Sequence, residues 1–344
     1  MKRRLGLLAI RSESSTTYYT ERPESSRPTI KDRRLSDTLS QNNIIDLSNT
    51  GNASQRADIP DFEQLANDAE FEQLPNLHEK VIHCIREIFR KFQSPVCQKY
   101  KKSLPYQNQC PEDSLYLYQI ISFILNEHYT NPEIFDMSLQ PIELSEQDYN
   151  IIWGPLLKIL FSKTSIIIKS GDTLLSDVEK RFKVDYRLGI MINHKFVDIA
   201  SVEVGKKPNS SKIKEDHAKL VLESRTIIDR LINQFYFILP SSIQVVSLQV
   251  CGLKADLLKS TMKSAAEYTT ERMTDRLRFP ITTRNSDSMI AFLQKITLFR
   301  EKVLSNANGI KDEYNEAIDQ RSSFGETLSP SLKKRLPNYK SWLE

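Results

Sequence analysis

Val184-Asp-Tyr-Arg-Leu-Gly-Ile-Met-Ile192, then Asn193-His-Lys195, then Phe196-Val-Asp-Ile-Ala-Ser-Val-Glu-Val204, closed by Gly205 and Pro208, is the stretch whose reading decides the fold. Two β-branched, alternating runs around a short polar turn mark a β-hairpin. With Asn193-His194-Lys195 as a three-residue loop, Ile192 closes against Phe196 and Asp185 falls directly opposite Glu203. Side chains so opposed lie about 4.5–5.5 Å apart at Cβ. Alternation sends Val184, Tyr186, Leu188, Ile190 and Ile192 to the other face, with Phe196, Ala200, Val202 and Val204. That face is the core, and the two carboxylates occupy the less apolar one. A two-residue loop would shift the register by one and turn Glu203 over.

Working outward, the apolar spacing predicts helices over Leu77–Phe92, Asp113–Tyr129 and Glu146–Phe161 before the hairpin. Ser145 and Asp148 have the spacing of a capping box for the third. Ser165–Lys169 is a short strand ending in the turn Ser170-Gly171-Asp172. A helix follows over Lys212–Phe237, then strands over Ile243–Val250 and Lys254–Lys263 turning at Cys251-Gly252, then a helix over Ser286–Leu304. The order helix–strand–strand–strand–helix–strand is a mixed α/β pattern in which one crossover helix allows part of the sheet to be parallel.

Of the 344 residues, 39% are hydrophobic, and the deficit is concentrated in residues 1–72, a Ser/Thr-rich head expected to be disordered. Residues 73–304 form the α/β domain with its N-terminal helical part, and residues 305–344 a polar tail. The balance of 48 basic against 44 acidic residues is a mixed surface that does not by itself announce nucleic-acid binding. Four cysteines without a CxxC pair fit reduced thiols in an intracellular protein, nuclear or cytoplasmic. The apolar run after Met1-Lys-Arg-Arg is six residues, Leu5–Ile10, too short for a signal peptide, and no stretch is long enough to span a membrane.

Two like charges opposed on a buried hairpin are destabilising unless something sits between them. Mg²⁺ commonly takes one or two carboxylates along with water and phosphate oxygens. The alternative is a pair of solvated strand charges, each matched by a neighbour such as Arg187.

The segments Ser145-Glu-Gln-Asp-Tyr-Asn-Ile-Ile-Trp153-Gly-Pro-Leu-Leu, Val184-Asp185-Tyr-Arg, Val202-Glu203-Val-Gly205 and Asp216-His-Ala-Lys219-Leu220 resemble a large set of uncharacterised fungal proteins of the PD-(D/E)XK nuclease-like superfamily. The resemblance covers residues 75–304 and lies in order and spacing. It implies a restriction-endonuclease-like mixed sheet flanked by helices, with Mg²⁺ held by an acid on the second core strand (Asp185) and one on the third (Glu203). It also implies a lysine two residues after the second acid, with a further acid sometimes drawn from the first helix, here Glu146. Gly205 stands where that lysine belongs, and Lys206 alternates to the wrong face. The pattern therefore needs a lysine from the following helix, and Lys219 is the candidate.

Lys206, Lys207, Lys212 and Lys214 cluster after Glu203 and are candidates to grip phosphate, or else form a solvated helix start. His217, on the buried face of its helix, reads as structural more readily than catalytic. His78 and His83 do not share a helix face. Arg33-Arg34 and Lys333-Lys334-Arg335 are short basic clusters compatible with nuclear targeting. Two functions stand against each other. One is a Mg²⁺-dependent phosphodiesterase on DNA or RNA, or its inactive nucleic-acid-binding descendant. The other is a non-catalytic interaction protein that keeps the fold and meets protein partners through its head.

Overall fold

The structure, a computed structural model, describes residues 37–48, 53–91, 93–135, 144–174, 183–205, 210–235, 238–264 and 267–323. Its strands are β1 (Ile44–Asp46), β2 (Ile167–Leu174), β3 (Lys183–Ile192), β4 (Lys195–Gly205), β5 (Gln244–Cys251), β6 (Lys254–Ser264), β7 (Glu267–Arg272) and β8 (Leu277–Arg278). Its helices are α1 (Ala53–Asp58), α2 (Phe62–Asp68), α3 (Glu79–Phe89), α4 (Val96–Gln107), α5 (Leu115–Thr130), α6 (Pro132–Phe135), α7 (Glu146–Leu160), α8 (Ser210–Gln234) and α9 (Ser286–Ser323).

The hairpin forms with a shorter loop than its spacing suggested. Asn193 and His194 take left-handed backbone angles, φ 45° and 60°, the two-residue turn whose twist suits antiparallel strands. Lys195 thus pairs with Ile192 and belongs to β4. A one-residue shift follows, and a β-bulge cancels it. Gly189 pairs with Asp198 and Leu188 with Ala200, leaving Ile199 as the additional residue. Beyond the bulge Tyr186 faces Val202, the register that brings Asp185 across from Glu203. Phe196 is corrected by the same device: it pairs with Met191 and its ring lies 3.9 Å from Lys169 Nζ and 5.2 Å from the Arg187 guanidinium. It therefore lies on the Arg187 face, outside the core face.

The bulge depends on Gly189. A Cβ there would stand 2.4 Å from the Val197 carbonyl oxygen and 2.5 Å from the Phe196 ring. Gly189→Ala should cost about 1–3 kcal/mol by overpacking, read as a lower denaturant midpoint. An unchanged midpoint would show that the bulge does not need the glycine.

The sheet runs β1-β7-β6-β5-β4-β3-β2, with β8 on β6. β2, β3 and β4 are antiparallel, and α8 crosses over to set β5 parallel to β4. The sheet is mixed and flanked by helices, as the element order implied. β2 passes through Ser170-Gly171-Asp172 as an irregularity in the ladder, with Gly171 at φ 80°, where a terminating turn was expected. The Ser145–Asp148 capping box is present in both directions. Helix α4 and strands β7 and β8 carry weak periodicity and were not anticipated.

Both flanks are more structured than their composition suggested. Ile44–Asp46, inside the stretch expected to be disordered, pairs in parallel with β7. Beyond Leu304, α9 continues where a tail was expected, because Val303, Ala307 and Ile310 keep one stripe buried. Tyr314 extends it with an edge contact to Phe235 at 6.0 Å. Residues 1–36 and 324–344, with the basic clusters at Arg33-Arg34 and Lys333–Arg335, lie outside the described residues. Among the described residues no helix is long and apolar enough to cross a membrane.

The two faces of the sheet differ in chemistry. Val184, Tyr186, Leu188, Val202, Val204, Leu248 and Val250 belong to the apolar core. α7 and α9 pack on that side: Trp153 Nε1 donates to the Gly252 carbonyl (3.0 Å) and Tyr186 Oη to that of Asn150 (3.3 Å). The side under α8 is a buried polar layer, and it holds the candidate site.

Candidate functional site

Period-two alternation puts Ser201 and Glu203 of β4, and their β5 partners Ser247 and Gln249, under α8. Ser247, Glu203 and Gln249 each meet a polar residue of the helix. Ser224 Oγ and Ser247 Oγ are 2.6 Å apart. Arg187 forks onto Asp198, with Nε to Oδ1 at 2.7 Å, and Arg230 of α8 lies 3.8 Å from the same carboxylate. Arg187, suggested as a neighbour that could match Asp185 or Glu203, engages Asp198.

Glu203 is 8% exposed, and Lys219 Nζ donates to its Oε1 at 2.7 Å. Lys219, the candidate on the following helix, thus lies beside Glu203. Across the hairpin, the Asp185 carboxylate accepts from the Val204 backbone N–H at 2.7 Å, which closes the ladder end and holds Asp185 beside Glu203. Burial pushes the Glu203 carboxyl up to about 7, with Asp185 and Asp216 adding to the push and Lys219 working against it. Burial works against the Lys219 charge, and the Glu203 carboxylate outweighs it, raising the ammonium above its ordinary range.

Glu223 is a third acid that the sequence reading did not single out. It lies one turn beyond Lys219, is fully buried at 0% exposure, and its Oε1 is 4.0 Å from Lys219 Nζ. Among the described residues neither of its oxygens has a hydrogen-bond partner, and Glu203 Oε2 also has none. Its signal was available: the α8 stripe Leu220, Glu223/Ser224, Ile227, Leu231 carries an acid where helical spacing demands an apolar residue. Burial drives its carboxyl well above the usual range, opposed by Lys219 and reinforced by Glu203 and Asp185. A carboxyl so raised contributes stability below its unfolded value of about 4.3, and that contribution is lost as pH rises toward the folded value. Glu223→Gln in metal-free buffer should therefore raise stability by about 1–2 kcal/mol at pH 8 and change little at pH 5. A loss of stability at pH 8 would mean that the carboxylate is better accommodated than its unpartnered oxygens suggest.

The remaining candidates separate. Lys212 pairs with Glu146 at 2.7 Å on the half-exposed rim, so the first-helix acid and one phosphate candidate neutralise each other across α7 and α8. Asp216 is half-buried and its carboxyl raised, by burial first. Lys214 is half-buried on α8, and Lys206 and Lys207 lie outside the described residues. Gly205 leaves room: a Cβ there would be 3.5 Å from Asp216 Oδ2 and 3.5 Å from the Val250 carbonyl oxygen, ordinary contacts.

His217 has its partners in the first strand. Its Nε2 donates to Asp46 Oδ2 (2.7 Å) and its Nδ1 to Gln249 Oε1 (2.7 Å). Gln249 Nε2 donates to the Ile213 carbonyl, which orients the amide oxygen toward the ring. Two acceptors around one imidazole make it an imidazolium. Ser48 Oγ donates to Asp46 Oδ1 at 2.5 Å, completing a buried network that ties β1 to α8 and β5. Serine, histidine and aspartate meet here, but serine and aspartate share one ring nitrogen and all three are buried. That is a structural arrangement.

Asp185 and Glu203 suit a divalent cation in donor type and number, and the unpartnered Glu203 Oε2 is a carboxylate oxygen at hand for one. Among the described residues no three His, Cys, Asp or Glu side chains gather into a group that could hold an ion. Comparison with family models, with curated proteins and with solved structures finds no match for this chain.

Proposed function

We propose that the chain carries a phosphodiesterase site of the PD-(D/E)XK type, acting on DNA or RNA, with its lysine moved from the strand to the following helix. The observation that carries the reading is the 2.7 Å contact between Lys219 Nζ and Glu203 Oε1. It supplies from α8 the cation that Gly205 cannot, beside two acids on adjacent strands. The order α7-β2-β3-β4-α8-β5, with three antiparallel strands and a fourth parallel to the third, supports it.

In this reading Asp185 and Glu203 hold Mg²⁺, which would polarise the phosphoryl oxygens and lower the pKa of water. Lys219 orients the attacking water and offsets the charge that gathers on the phosphate. Asp198 engages Arg187. Lys214 stands on the helix that overlies the site and would meet the backbone of the nucleic acid.

A second reading is favoured by a specific observation. The Lys219–Glu203 pair is closed, and among the described residues no three His, Cys, Asp or Glu side chains are placed to hold a metal ion together, as expected of a domain that keeps the fold for protein interaction.

A cleavage assay decides between them. Labelled single-stranded and duplex DNA and RNA are incubated with Mg²⁺ and either the native chain or Asp185→Ala. The nuclease reading predicts cleavage by the native chain, reduced about 100-fold or more in the variant. Absence of cleavage by the native chain on every substrate leaves the interaction reading.

A further inference from the structure

A cavity of about 610 Å³ lies between the β5–β6 turn, β8 and the start of α9. Its size is that of small-molecule sites. Leu253, Phe279, Ile281 and Phe292 supply apolar walls, and Ile281 is 48% exposed.

The polar lining is unbalanced. Lys254, Arg276, Arg278 and Lys295 face Asp256 and Asp275, four cations against two carboxylates. Both carboxylates are already engaged: Arg276 forks onto Asp256 at 3.0 and 2.8 Å, and Lys295 donates to Asp275 at 2.7 Å. Lys254 and Arg278 are left over. They pair directly across the β6–β8 ladder, so their side chains leave the same face side by side. Among the described residues neither has a carboxylate within ion-pairing distance. Like charges directly opposed in a ladder destabilise it, and an anion held between them reverses the sign, more strongly beside an apolar wall than in open water.

We propose that this cavity binds a small amphipathic anion, its apolar body against Phe279, Phe292 and Leu253 and its carboxylate or phosphate head between Lys254 and Arg278. The site uses none of Asp185, Glu203 or Lys219, and it stands or falls independently of the nuclease reading.

Titration calorimetry with dodecanoate, dodecyl phosphate and dodecylamine, each kept below micelle-forming concentration, tests the proposal. The expected result is saturable one-to-one binding of at least one of the two anions, with the tighter one identifying the head group, and no binding of the amine. Lys254→Ala/Arg278→Ala, at exposed positions, should weaken binding tenfold or more. Ala291→Trp, an exposed position in the cavity lining, should abolish it by filling the space. The proposal is overturned if neither anion binds saturably, if the amine binds as well as the anions, or if both variants bind like the native chain.

Discussion

Replacing His217 by leucine should cost the fold about 3–5 kcal/mol, because it strands the Asp46 carboxylate in a dry interior. Asp46 is 0% exposed and His217 6%. Burial works against charge on both residues. The opposite charge and the shared hydrogen bond outweigh it, raising the His217 ring above its ordinary value and lowering the Asp46 carboxyl. The raised ring contributes stability fully present below its unfolded value of about 6.5 and lost as pH rises through the folded value. The lowered carboxyl contributes stability present above about 3.9 and lost as pH falls through its folded value. The pair therefore does most for the fold between about pH 4 and 6.5. Denaturant unfolding across pH should show the native chain declining above that window and His217→Leu declining less, with the part due to the raised Glu203 and Glu223 carboxyls remaining. Asp46→Asn combined with His217→Leu should recover part of the loss, since it removes the stranded charge. A single variant with unchanged stability would mean that the network is not an ion pair.

Removing the helix-borne lysine should have the largest effect on activity. Lys219→Ala is expected to lower cleavage about 10²–10³-fold, the usual consequence of deleting one preorganised cation or donor at a developing charge. Gly205 provides the control. The strand position has ordinary contact distances for a side chain and no left-handed backbone angle, so Gly205→Lys in the Lys219→Ala background should restore about tenfold. Recovery would show that the lysine can serve from either element. If Lys219→Ala cleaves as the native chain does, the lysine has only a structural part in holding Glu203.

The hairpin and its carboxylates were legible because period two and β-branched composition leave few alternatives for Val184–Gly205. The opposition of Asp185 and Glu203 was reached by an incomplete route. The loop is one residue shorter than its composition suggested, and the bulge at Ile199 restores the register. Bulges answer to the fit of Gly189 against Phe196 and Val197, contacts that no local pattern announces. The position of Lys219 beside Glu203 was legible through its place in Asp216-His-Ala-Lys219-Leu220. The partner of His217 was not, since Asp46 is 171 residues away in a stretch whose composition reads as unstructured. Three residues of β1 add little apolar area of their own, and they are held by β7 and by the buried network. The end of α9 was lost for a related reason: a stripe of Ala307, Ile310 and Tyr314 on an otherwise polar helix carries a weak signal until Phe235 supplies its other half.

The claim that Asp185 and Glu203 form a cation site is tested most directly by Mg²⁺ titration calorimetry on the native chain and on Asp185→Ala, both first stripped with chelator. A saturable one-site heat is expected for the native chain, and its loss in Asp185→Ala. No heat in the native chain, or the same heat in both, would contradict it.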